Sequence, residues 1–197
     1  MPGIIKITTE LDIAIEKTKK VILESGIIVY PTDTLYGIGG NALNAKVVER
    51  IYQIKRREER KPLSVIMANF DMIREYCEIN KTQELILQTY LPGPFTFIVK
   101  VKGDFPAVST DGTIGIRMPN YKFTKLLSLK CNVPIISTSA NISGEKSPTE
   151  ISELDREMLS SVDLIIDDGK TKYAEGSTIV NLVSNKIIRQ GAGRINL

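Results

Sequence analysis

Apolar positions along this chain follow two periods. Short apolar runs bounded by Gly, Pro, Asn or Ser predict strands at residues 27–30, 63–67, 95–101, 114–118, 134–136, 164–167, 177–183 and 186–189, with a further short one at 4–8. Between them the spacing turns helical. Leu11, Ile15, Val21 and Ile22 recur on one face and stop at Ser25-Gly26, while Val47, Val48, Ile51 and Ile54 line a helix that Asn44 can cap. Helices are also expected at 70–77, 82–90, 121–129 and, less regularly, 149–160. Pro92-Gly93-Pro94 marks a firm turn, and Ser184-Asn185 a hairpin. Strands and helices are interleaved, with hairpins near the end. This predicts an α/β fold with a twisted mixed sheet, parallel and antiparallel, flanked by helices. No repeat or shift in composition divides the chain, so residues 1–197 are read as one domain.

Composition narrows the chemistry. The 197 residues are 42% hydrophobic and 25% charged, within the range of globular proteins. No apolar run reaches membrane-spanning length and residues 1–8 lack a signal-peptide pattern, so the expected location is cytoplasmic, with no membrane partner. The net charge of +3 permits an anionic ligand without demanding one. Cys77 and Cys131 are the two cysteines, in unrelated contexts, and read as small buried hydrophobes. Histidine is absent altogether. That removes a Ser-His-Asp triad and imidazole acid–base chemistry. Lys, Arg, hydroxyls, carboxylates and backbone amides remain.

Several segments share one pattern, an apolar strand running into small, hydroxyl-bearing or cationic residues: 31–40, 55–62, 114–119, 135–149 and 176–191. Open α/β sheets bind ligands at such strand ends. Lys55, Arg57 and Lys61 offer cations to phosphates, although the interleaved Glu58 and Glu59 equally suit a solvated helix end. Arg117 sits within Ile-Gly-Ile-Arg-Met-Pro, where a half-buried guanidinium needs an anion: an internal carboxylate or one from a ligand. The common Gly-rich nucleotide motifs are absent.

Taken in order, these segments resemble the YrdC-like family, the L-threonylcarbamoyladenylate synthases. The resemblance is carried by Pro-Thr-Asp-Thr-Leu-Tyr-Gly at 31–37, by Lys-Arg-Arg at 55–57 with Lys61-Pro62-Leu63, and by Gly93-Pro94. Gly-Ile-Arg-Met-Pro at 115–119, Ser-Ala-Asn-Ile-Ser-Gly at 139–144, Ser147-Pro148-Thr149, Gly-Ser-Thr-Ile-Val at 176–180 and Arg189-Gln190-Gly191 complete it. It spans most of the chain and is closest to the short, single-domain members. It implies sheets and helices around a large concave basic cavity. The implied reaction is nucleotidyl transfer, in which L-threonine, bicarbonate and ATP give threonylcarbamoyl-AMP and pyrophosphate. A separate transferase complex then carries the threonylcarbamoyl group to tRNA.

By the same resemblance, Thr34, Arg117, Ser139 and Ser177 look like the threonine side of the site. Arg57, Lys61, Thr113, Asn141, Thr149 and Arg189 look like the nucleotide side, with Lys55 and Arg57 the cations that assist catalysis. Mg²⁺ is expected to enter bound to ATP rather than on protein ligands. Asp33 replaces a commoner glutamate and, by proximity, is the candidate base; Ile66 stands where many members carry a histidine lining the threonine pocket. The segments at 102–112 and 168–176 read as candidate lids. The competing reading is a non-catalytic RNA-binding module, with weak tRNA or double-stranded RNA binding on a basic surface. Its sparse aromatics, 6% of residues, fit poorly with a base-stacking platform.

Overall fold

The computed structural model describes residues 2–58, 62–103 and 111–195. Strand β1 (Gly3–Lys6) leads directly into helix α1 (Ile7–Leu23), followed by β2 (Ile28–Pro31), β3 (Tyr36–Gly39), α2 (Ala45–Ile54) and β4 (Ser64–Ile66). Then come α3 (Phe70–Tyr76), β5 (Cys77–Glu78), α4 (Lys81–Tyr90), β6 (Phe95–Val101), β7 (Thr113–Arg117) and α5 (Lys122–Cys131). The chain continues through β8 (Ile135–Ile136), β9 (Thr138–Ser139), a 3-10 turn (Ile151–Glu153), α6 (Arg156–Ser161), β10 (Leu164–Asp167), β11 (Thr178–Asn181) and β12 (Lys186–Arg189).

The helix starts follow the local sequence. Asn44 Oδ1 accepts from the Lys46 and Val47 amides at 3.0 and 3.4 Å, as its position before α2 predicts. Asn80 and Gln83 form a reciprocal capping box on α4, at 2.9 and 3.0 Å. The expected helix at 149–160 is instead the 3-10 turn and α6, because Asp155 starts α6 by accepting from the amides of Glu157 and Met158.

The mixed character of the sheet is as expected, but the strands divide into two sheets. One has five strands in the order β1-β10-β2-β3-β9, parallel as far as β2 and antiparallel beyond it. The other has seven, in the order β12-β11-β6-β7-β4-β8 with β5 paired to β6. Within it β11 and β6 run parallel, as do β7 and β4, while β6 and β7 are antiparallel. The sheets meet where β3 passes β8. A Cβ on Gly39 would lie 1.9 Å from the Ile136 carbonyl oxygen, so only glycine fits there.

Strand β3 falls inside the segment that reads from sequence as a loop. Tyr-Gly-Ile-Gly has little strand propensity of its own, and β3 is held by antiparallel partners on both sides. Successive residues of β2 serve two cores. Ile28 and Tyr30 pack with α1 and α5 residues such as Ile15, Ile22, Phe123 and Leu127, whereas Val29 joins the main core with Ile38, Ile51, Val65 and Phe97. Burial on both faces explains the unbroken Ile-Ile-Val-Tyr run.

Candidate active site

A cavity of about 240 Å³ opens on the seven-stranded sheet. Its position follows from strand alternation. Phe95, Phe97 and Val99 of β6 and Ile116 of β7 face the apolar core. Their neighbours Thr96, Ile98, Thr113, Gly115 and Arg117 face the cavity, joined by Ser177 and Ile179 from the β11 segment and Arg189 from β12. Across from them stand Thr34–Gly37 and Thr138–Ser139, contributed by the five-stranded sheet, and Arg57, residues 62–64 and Ser147 complete the wall. Among the described residues that line it are three arginines, Arg57, Arg117 and Arg189, and no carboxylate. A charge of one sign in a concave, partly dry space selects anions.

Arg117 is 8% exposed. Its Nη2 donates to Asp33 Oδ1 at 3.2 Å and to Thr34 Oγ1 at 2.8 Å. Its buried Nε has no partner. Of the two alternatives left open for this guanidinium the structure shows the internal carboxylate, which holds one nitrogen, while the buried Nε makes no bond within the protein. Asp33 is fully buried, and its second oxygen accepts from the Asn120 amide at 3.0 Å. It is the counter-ion of Arg117, with both oxygens engaged, and does not line the cavity.

The hydroxyls are held as firmly. Thr34 shares a 2.9 Å hydrogen bond with Thr32, whose oxygen also accepts from the Thr34 and Leu35 amides. Ser177 shares a 2.7 Å bond with Thr96, and both are nearly buried. Arg189 reaches back to the Ser177 carbonyl through Nη2 at 2.7 Å, a contact that sets it across Gly176. Burial lowers the pKa of Arg189, with Arg117 adding to the effect, and burial likewise lowers that of Arg57. Arg57 donates to the Pro62 carbonyl at 3.0 Å.

Of the residues expected here, Thr34, Arg57, Thr113, Arg117, Ser139, Ser177 and Arg189 line the cavity. Lys55, Asn141 and Thr149 do not. Lys55 is 1% exposed, its ammonium donating to backbone carbonyls of the 139–141 turn, and burial lowers its pKa to about 7. Asn141 Nδ2 donates to the Ile142 and Glu145 carbonyls, and its Oδ1 accepts from Ser139. Thr149 turns away to bond Glu153 Oε2, through its amide at 2.7 Å and its hydroxyl at 2.9 Å. Lys61 and positions 104–110 of the first candidate lid lie outside the described residues. Ile66 packs in the second core with Phe123 and Ile135 and is not part of this wall.

The segment at 168–176, of which Gly176 lines the cavity, is tied down by hydrogen bonds along its length. The Tyr36 hydroxyl donates to the Gly169 carbonyl at 2.8 Å and accepts from the Asp168 amide, and Tyr121 donates to Asp168. The Thr171 and Tyr173 amides reach the Thr149 and Asp33 carbonyls. Burial and the nearby carboxylates push the Tyr36 hydroxyl up to about 12, keeping it a donor at neutral pH.

Ser64 and Thr96, which the sequence did not single out, and Ser137 and Ser147, which lie in singled-out segments but were given no role, also line the cavity. Thr96 was detectable: a hydroxyl between Phe95 and Phe97 marks the opposite face of the strand. Ser137 is 2% exposed and its hydroxyl lacks a partner. A larger, shallower groove of about 760 Å³ lies beside α3, α4 and β6, where Arg74 already pairs with Glu84.

The chain is 45% identical over 174 residues to a Methanocaldococcus jannaschii protein provisionally named threonylcarbamoyl-AMP synthase, covering 88% of this chain and 83% of that one. It is 34% identical over 164 residues to the threonylcarbamoyl-AMP synthase of Pyrococcus abyssi, covering 82% of this chain and 48% of the other. The crystal structure of P. abyssi Sua5 complexed with L-threonine superposes with a TM-score of 0.85 at 30% identity, over 93% of this chain and 54% of that one. The chain thus spans most of the first relative and about half the length of the Pyrococcus proteins. The Sua5/YciO/YrdC family, described as telomere recombination, is matched by residues 20–191, the stretch that holds every strand but β1 and the described cavity residues, and the chain belongs to it.

Proposed function

We infer that the chain is a threonylcarbamoyl-AMP synthase, forming threonylcarbamoyl-AMP and pyrophosphate from L-threonine, bicarbonate and ATP. One observation carries the site reading: among the described residues, a cavity lined by three arginines and no carboxylate, in which the buried Arg117 keeps an Nε without a partner. In this reading Arg117 holds the threonine carboxylate, with Thr34 and Ser177 beside it, while Arg57 and Arg189 neutralise the phosphates. The threonine amine attacks carbon dioxide derived from bicarbonate, forming the carbamate N–C bond and releasing a proton. A carbamate oxygen attacks the α-phosphorus of ATP, the bond to the bridging oxygen breaks, and pyrophosphate leaves. No covalent intermediate on the protein is needed, in keeping with a chain that has no histidine. Catalysis is positioning and charge neutralisation. Mg²⁺ enters with ATP as part of the substrate.

The product is an acyl-adenylate, so the next reaction must be acyl transfer to a nucleophile, here a tRNA base, by a partner complex. Among the described residues no helix is long and apolar enough to cross a membrane, compatible with the cytoplasmic setting that tRNA modification requires.

The test is pyrophosphate release from ATP with radiolabelled bicarbonate and single amino acids. Release that depends on both threonine and bicarbonate is expected. Absence of release, combined with RNA binding that falls steeply with salt, would replace the synthase by the RNA-binding module.

A further inference from the structure

Lys55 is the last residue of the α2 cap, and three consecutive cations leave it in different directions. Arg56, in the left-handed region at φ 48°, pairs with Glu157 at 2.6 Å. Arg57 enters the cavity wall. Lys55 points inward and is 1% exposed. Its ammonium donates to the Ser139 carbonyl, to the Asn141 carbonyl at 2.8 Å and, at 3.5 Å, to Asn141 Oδ1. Its own carbonyl accepts from the Ser143 amide at 2.9 Å. Side chain and backbone of one lysine thus grip both ends of the 139–143 turn.

That turn is part of the site. Thr138 and Ser139 stand on the cavity wall, and the Ser139 hydroxyl donates to Asn141 Oδ1. An ammonium has three donors, and here three oxygens meet them, none a carboxylate. Burying a cation among neutral carbonyls is costly and is worthwhile only where geometry depends on it. A cation that meets a phosphate has to line the cavity, as Arg57 does and Lys55 does not.

We propose that Lys55 is a positioning residue, setting the distance between the Arg57 edge and the Ser139 wall of the cavity and making no contact with the nucleotide. This rests on the synthase reading of the same cavity. Amine acylation of the folded, unmutated protein, read by mass spectrometry with and without inorganic pyrophosphate, tests it directly. Lys55 should be modified at least ten-fold more slowly than Lys146, whose side chain is 82% exposed, and pyrophosphate should not alter that ratio. An accessible amine with a depressed pKa would instead be among the fastest to react, and protection of Lys55 by pyrophosphate overturns the proposal.

A double-mutant cycle on threonine-dependent pyrophosphate release is the second test. Lys55→Met and Ser139→Ala should each lower kcat, and the double variant should be within about three-fold of the worse single, because both act through one turn. Lys55→Met and Arg57→Met should likewise fall short of multiplying, because Lys55 sets where Arg57 stands. The reverse pattern overturns the assignment. Wild-type protein that releases no pyrophosphate defeats the synthase reading while leaving the acylation result to stand or fall alone.

Discussion

Two cations are buried at this site, Arg117 in the cavity wall and Lys55 behind the 139–141 turn, and the fold treats them differently. Arg117 has a full counter-charge in Asp33, and a guanidinium offers enough nitrogens to hold that carboxylate, bond Thr34 and still leave Nε free. Lys55 has only carbonyls and an amide oxygen. The first arrangement answers charge with charge and keeps a donor over; the second spends its donors mostly on backbone. A compact ammonium suits a strut and a planar fork suits a clamp.

The largest effect expected from breaking this contrast is on the Arg117 side. Arg117→Ala strands the buried Asp33 charge and should cost about 3–5 kcal/mol of stability in urea denaturation. Adding Asp33→Asn to the same chain should recover part of it without restoring threonine-dependent turnover. A loss below about 1 kcal/mol would mean that water reaches the pair.

Lys55→Met comes next. It leaves carbonyls without a donor and removes a buried charge, two effects of opposite sign, so a net loss of about 1–3 kcal/mol is expected near neutral pH. Its pH dependence is more diagnostic. The Lys55 pKa is lowered from its usual 10.5 to about 7 by burial, with Arg57 adding to the effect. Between these values the unfolded chain holds the proton and the folded one does not, so wild-type stability should rise with pH from about 7 upward. Lys55→Met should lose that rise, whereas an unchanged slope would show that Lys55 titrates normally. Readings between about pH 7 and 8.5 avoid the thiols of Cys77 and Cys131, which burial pushes up to about 12 and 11 and which act in the opposite direction.

Smaller still is the hydroxyl pair. Thr96→Val and Ser177→Ala should each cost about 1 kcal/mol, and their double variant should show a coupling of about 0.5–1.5 kcal/mol from the shared 2.7 Å bond. Additive losses would indicate two independent hydroxyls. Least in stability, Arg189→Ala, which removes the guanidinium bonds to the Ser177 carbonyl from an otherwise exposed strand, should cost about 0.5–1 kcal/mol while lowering pyrophosphate release. Unchanged release would remove Arg189 from the nucleotide side.

Much of the site was readable as residue types and little of it as orientation. The capping asparagines and the apolar face of α2 act within a few residues of sequence, so they announce themselves. Arg117 could be singled out because a cation amid apolar strand residues demands an anion wherever it lies. Lys55, Asn141 and Thr149 were not readable in this way. In Lys-Arg-Arg the direction of each cation depends on the one left-handed residue between them, and composition does not encode that. Ser139 and Asn141 lie two residues apart; the first reaches the cavity and the second bonds its own turn.

By itself the sequence determined that the chain alternates strands with capped helices, that its chemistry excludes imidazole, and which ordered segments mark its family. These are properties of neighbours along the chain: periodicity, propensity and the inventory of donors. Tertiary structure alone decided that the strands separate into two sheets, that Tyr-Gly-Ile-Gly becomes a strand through partners on both sides, and that Asp33 is spent on Arg117. It also turned one of two nearby cations toward the cavity and the other into the wall. Those outcomes depend on contacts between residues far apart in sequence, where burial and hydrogen-bond satisfaction outweigh local preference.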